Sequence, residues 1–77
     1  MNAANKTIPR AKKALLALKI AELRSRLGLT QEQFAHEVGV TFSTVNRWEN
    51  GKGKPSPLAM RRIADLRGVT DEAAKDS

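Results

Sequence analysis

With no cysteine, a single histidine at position 36 and eight carboxylates scattered along the chain, this sequence holds no nucleophile–base pair and no cluster of metal ligands. An enzyme is not expected, and neither is a metal or another cofactor. Fourteen lysines and arginines give a net charge of +6, which points to a polyanionic partner, either nucleic acid or an anionic membrane surface. The charge is unevenly placed. Residues 1–26 and 51–67 are the basic blocks, and between them Arg47 stands against Glu32, Glu37 and Glu49. Inside that mildly acidic middle lies the richest set of side chains able to read hydrogen-bonding edges: Phe42, Ser43, Asn46, Arg47 and Asn50.

Those five share a face only if they ride on a helix, so the elements around them decide the matter. Seventy-seven residues allow one small domain, and 40% hydrophobic content suits a globular chain rather than a disordered tail. The longest apolar stretch, Ala14 to Leu18, is too short to cross a bilayer, so a soluble, cytoplasmic protein without membrane association is expected. Residues 1–8 are polar and unpatterned and read as a flexible arm. A long first helix should follow from Pro9 to Leu27, with Leu16, Ile20, Leu23 and Leu27 as its inward stripe and Gly28 as its stop.

Thr30 and Gln33 form a capping box for a short second helix, Gln31–Val38, whose buried face is Phe34, Ala35 and Val38. Thr41 caps a third, Phe42–Asn50, which turns Val45 and Trp48 inward and stops at Asn50-Gly51. Ser56-Pro57 opens a fourth, with Leu58, Ile63 and Leu66 inward and Ala59 or Met60 assisting, ending at Gly68; Thr70 to Lys75 could add one more turn. No segment alternates like a strand, so the expected fold is all-α, four to five helices over residues 9–68 with a short C-terminal segment over residues 69–77. The link Gly39-Val40-Thr41 between two short helices has the length and glycine placement of a helix-turn-helix, and Ala35 is small enough for close helix approach.

From Ile20 to about Leu66 the chain resembles the Xre-type, phage lambda repressor-like helix-turn-helix proteins. The resemblance runs through Leu27-Gly28-Leu29-Thr30-Gln31, Phe34-Ala35, Val38-Gly39-Val40, Thr44-Val45, Arg47-Trp48-Glu49-Asn50-Gly51 and Lys54-Pro55-Ser56-Pro57. It implies a compact domain whose third helix enters the major groove of double-stranded DNA, usually as a homodimer on a near-palindromic operator. A transcriptional regulator is then expected, most simply a repressor acting by occupancy, its own operon being a fitting target, with no small-molecule ligand. An antitoxin-like interaction module that also binds its operator is the alternative. The first helix is longer than usual for such proteins, and Thr70-Asp71-Glu72-Ala73-Ala74 lacks the bulky apolar residues often found there.

The same resemblance places Phe42, Ser43, Asn46 and Arg47 at base-reading positions. Their chemistry suits that role. Arg47 can bond guanine O6 and N7, Asn46 can pair with adenine, Ser43 can donate or accept, and Phe42 can meet a thymine methyl. Phosphate contacts are expected from Gln31 at the start of the second helix and from Thr41, Thr44, Asn50, Lys52 and Lys54 around the third. Arg24 and Glu49 match positions that often pair across the first and third helices. Trp48 is expected in the core and His36 on the surface. Finally, Leu15 and Leu18 lie on an arc of the first helix away from its core stripe, which makes them a candidate dimer surface unless residues 66–74 of the same chain cover them.

Overall fold

The structure is a computed structural model that describes the backbone of residues 2–76 and the side chains of residues 12–68. Four helices follow one another: α1 Asn2–Arg26, α2 Gln31–Val38, α3 Phe42–Glu49 and α4 Pro57–Asp76. Among the described residues there is no strand, and the all-α expectation holds.

The core forms where the apolar stripes converge. Ile20 and Leu23 from α1, Phe34, Ala35 and Val38 from α2, Val45 and Trp48 from α3 and Ala59 from α4 are all buried, and Leu16, Leu27, Leu29, Val40, Ile63 and Leu66 pack around them. Phe34 and Val45 have no exposed surface at all. Fully burying such side chains contributes about 1.5–3 kcal/mol each, enough to hold helices of eight residues that would not persist alone.

Capping sets the helix starts. The Thr30 hydroxyl accepts from the Gln33 amide at 3.1 Å and the Gln33 side chain accepts from the Thr30 amide at 2.9 Å, the reciprocal arrangement anticipated from the sequence. Thr41 caps α3 by accepting from the Thr44 amide at 3.2 Å, and the Ser56 hydroxyl accepts from the Ala59 amide at 3.2 Å at the head of α4. Between α2 and α3, Gly39 adopts φ 86° and donates its amide to the Ala35 carbonyl. A residue with a Cβ would be strained in that left-handed conformation, so the turn angle depends on glycine.

Three expectations need correction. The backbone is already helical from Asn2, so residues 2–8 continue α1 instead of forming an arm, and Pro9 lies inside the helix, which forfeits one backbone bond. The helix expected to stop at Gly68 continues to Asp76, so residues 69–76 extend α4 rather than forming a separate segment; one interior glycine costs only about 1 kcal/mol relative to alanine. The side chains of residues 1–11 and 69–77, including any cover they give Leu15 and Leu18, lie outside the described residues. Within α4 the inward stripe is Ala59, Ile63 and Leu66, while Leu58 is 59% exposed because it sits one residue, 100°, off that stripe.

Candidate nucleic-acid interface

The turn at Gly39 sets α3 across α2, and burial of Val45 and Trp48 fixes how α3 is rotated about its axis. The opposite face must then point outward. Phe42, Ser43 and Arg47 lie there with Asn46 and Thr44 beside them; Phe42 is 48% exposed and Asn46 half-buried. Thr41 and Asn50 cap the two ends of α3 and Lys52 follows it, all exposed, while Lys54 lines a groove with Leu16, Pro55, Pro57 and Met60, and Gln31 lies half-buried at the first turn of α2. The structure thus gathers Phe42, Ser43, Thr44, Asn46 and Arg47 on α3, with Gln31 reaching Asn46 and Lys52 reaching Arg47, but does not bring Lys54 to that helix. Trp48 is buried and His36 exposed, as anticipated.

One ion pair anchors the arrangement. Arg24 Nε donates to Glu49 Oε2 at 2.7 Å and Nη2 donates to Oε1 at 3.0 Å, a two-pronged contact across α1 and α3. The remaining Nη1 donates to the Leu29 carbonyl at 3.0 Å, so the same guanidinium also ties down the loop between α1 and α2. The side chains are 24% and 9% exposed, respectively. Burial by itself pushes the Glu49 carboxyl upward, but the hydrogen bonds from Arg24 and then Gln31, with the attraction of the Arg24 charge, outweigh it and leave the group below its ordinary value. The same bond to Glu49 raises Arg24 further, against a smaller opposing effect of burial.

The pair does not stand alone. Gln31 Nε2 donates to Glu49 Oε1 at 2.9 Å, and Gln31 Oε1 accepts from Asn46 Nδ2 at 3.2 Å. Asn50 Nδ2 donates to the Asn46 carbonyl at 2.8 Å and to Asn46 Oδ1 at 2.9 Å. Reading residues separately missed this connection. The available signal was an acceptor-only carboxylate at position 49 within one helix crossing of amides at positions 31 and 46. Arg47, by contrast, folds along the loop that follows α3, where Nη2 donates to the Lys52 carbonyl at 3.2 Å, and the backbone beneath is closed by the Lys52 amide donating to the Arg47 carbonyl at 2.9 Å. A further cation was also overlooked: Arg62 of α4 reaches the α2–α3 turn, its Nη1 3.8 Å from where a Cβ on Gly39 would lie.

Leu15 and Leu18 are 53% and 59% exposed, so the described residues leave both uncovered. Leu18 lines an open groove of about 450 Å³ with Ala14, Ala17, Ala21 and the Glu49-Asn50-Gly51 corner. No described helix is long and apolar enough to cross a membrane.

The family profile described as helix-turn-helix matches residues 20–72. An "HTH-type transcriptional activator BcrR" of Enterococcus faecalis is 36% identical over 52 residues, 68% of this chain but 26% of that protein. An uncharacterized HTH-type transcriptional regulator of Methanothermobacter thermautotrophicus is 47% identical over 49 residues, 64% of this chain and 71% of that protein. The type II methyltransferase M.SsoII of Shigella sonnei is 36% identical over 54 residues, 66% of this chain and 14% of the enzyme. The shared unit is therefore a domain that also occurs inside much longer proteins. No solved structure gives a significant match.

Proposed function

Since the chain belongs to the Xre-type, lambda repressor-like helix-turn-helix family, we infer that it regulates transcription by binding double-stranded DNA, with α3 in the major groove. The observation that carries this reading is the outer face of α3: Phe42, Ser43, Asn46 and Arg47 turned away from a core that holds Val45 and Trp48. Four side chains of differing donor, acceptor and apolar character on one short helix suit the edges of successive base pairs. Around that face Thr41, Thr44, Asn50, Lys52 and the first turn of α2 at Gln31, with Lys54 further along the following loop, would hold phosphates and fix its register.

We further read the protein as a cytoplasmic homodimer on a near-palindromic operator, with Leu15 and Leu18 in the subunit contact and repression, including that of its own operon, arising by occupancy. Their exposure supports that contact. The direction of regulation is open to a direct reporter assay, since the Enterococcus relative is named as an activator.

Selection of bound duplexes from a random pool tests specificity, half-site spacing and symmetry together. Arg47→Ala should then lose about 1–3 kcal/mol on the selected site and relax preference at one base pair, while Lys52→Ala weakens all duplexes alike. Equal loss on every duplex for Arg47→Ala would move that residue to the phosphate-binding set. Affinity should fall steeply with salt as counterions are released from several phosphates, and flat salt dependence contradicts the interface.

A further inference from the structure

The polar chain Glu49–Gln31–Asn46–Asn50 has a direction, and the direction is imposed from its ion-paired end. A carboxylate can only accept hydrogen bonds. Glu49, ionised and held by Arg24, therefore forces the Gln31 amide to turn its NH2 toward Oε1, which leaves the Gln31 carbonyl oxygen facing Asn46. Asn46 must answer with its NH2, since the flipped rotamer would set two oxygens against each other. Its carbonyl oxygen then faces the Asn50 NH2, which donates to it. Each link removes one of two amide orientations.

Resting on the reading of α3 as the base-reading helix, we propose that Glu49 and Gln31 are specificity-determining positioning residues: through them the part-buried ion pair presents the Asn46 amide to the major groove in a single orientation. Neither Glu49 nor the Gln31 side-chain oxygen needs to touch a base. After its internal bonds Asn46 keeps one N–H and one lone pair, the complement that adenine N7 and N6 require. An amide free to flip accepts that donor–acceptor pair in either left-to-right order, whereas a fixed amide accepts one order and so distinguishes the two orientations of the base pair. Gln31 retains a second N–H for a phosphate, so positioning and backbone contact are compatible in one side chain.

The discriminating variant is Gln31→Met, which keeps length and apolar bulk, leaves the Arg24–Glu49 contact in place and deletes both amide links. The 77-residue chain is bound to the duplex selected from a random pool and to single-substitution versions of it. Expected is a loss of discrimination of about tenfold at one base pair, the same one whose preference disappears in Asn46→Ala, with preference kept at the pair that responds to Arg47→Ala. In an Asn46→Ala background Gln31→Met should add no further loss at that base pair. A uniform drop on all duplexes with preferences intact makes Gln31 a phosphate contact only and overturns the proposal. An equal additional loss at that base pair in the Asn46→Ala background overturns it as well. If the unmodified protein shows no preference among duplexes, the base-reading function itself fails, a result distinct from both.

A measurement on the unmodified protein covers the case in which Gln31→Met does not fold. One Nδ2 proton of Asn46 should be protected from solvent exchange and show a nuclear Overhauser contact to the Gln31 side chain, because Gln31 Oε1 holds it. Rapid exchange of both protons with no such contact would mean that the amide turns freely about its Cβ–Cγ bond and would overturn the proposal.

Discussion

The two sides of α1 behave differently. On the side facing α3, Ile20 and Leu23 pack with buried Trp48 and Val45 and Arg24 pairs with half-buried Glu49, so apolar and polar groups alike find partners. Elsewhere on α1, Leu15 and Leu18 stand more than half exposed, Leu18 beside the open groove that runs to the Glu49-Asn50-Gly51 corner, and Leu58 and Met60 of α4 are comparably open. The half that carries α3 is thus closed within one chain, while the outer half is left for solvent or for another molecule. Packing and hydrogen bonds are concentrated around α3, and apolar surface remains where they are sparse.

The sharpest way to break this contrast is to hollow out the closed half. Phe34→Ala removes a fully buried ring and should cost about 3–5 kcal/mol, a large share of a small domain's stability; thermal unfolding by circular dichroism reads it. A variant that melts as the parent does would place the core elsewhere.

Next comes the ion pair. Glu49→Ala leaves Arg24 without its partner, and because Arg24 is 24% exposed the cost should be about 1–3 kcal/mol, short of the value for a fully buried pair. An unchanged melting temperature removes the pair from any structural role. Its pH dependence sharpens the point. The folded carboxyl lies below its ordinary value of about 4.3, so its contribution is complete above that pH and is lost as pH falls through the lower folded value. The parent should therefore lose stability with acid more steeply than Glu49→Ala does.

The smallest effect on the fold is expected from the outer half. Leu15→Glu with Leu18→Glu should shift monomer stability by no more than about 0.5 kcal/mol, since both side chains are already exposed. Sedimentation and operator binding are the decisive readings. If this double variant stays dimeric and cooperative on two half-sites, the subunit contact lies elsewhere, with the open Leu58 and Met60 of α4 as the next surface to test.

Much of the closed half was legible beforehand for a physical reason: its determinants are local or periodic. The Thr30–Gln33 box, the left-handed Gly39 and the 3.6-residue stripes follow from neighbouring residues, and the Arg24–Glu49 pair followed from the family resemblance. What escaped depends on how elements cross. Gln31 and Asn46 are 15 positions apart and meet only because α2 and α3 pack at one angle. The register of α4 was misjudged at Leu58 because a proline start leaves two adjacent apolar residues, Leu58 and Ala59, competing for the inward position, and the smaller one occupies it. The ends of α1 and α4 ran longer than expected since Pro9 and Gly68 were taken as boundaries, and each is a cost that a helix can carry.

The eight-residue length of α2 and of α3 has a consequence for how the interface is lost. Helices that short have no independent existence in water, so α3 persists only while the core beneath it does. Opening of α3 and unfolding of the domain should be one event, and the backbone amides of Val45 and Trp48 should exchange with deuterium at the rate set by global unfolding, not by local fraying. The population of molecules able to bind then follows the folding equilibrium itself. A modest loss of stability, from heat or from a distant core substitution, is felt as fewer competent molecules rather than as a looser grip.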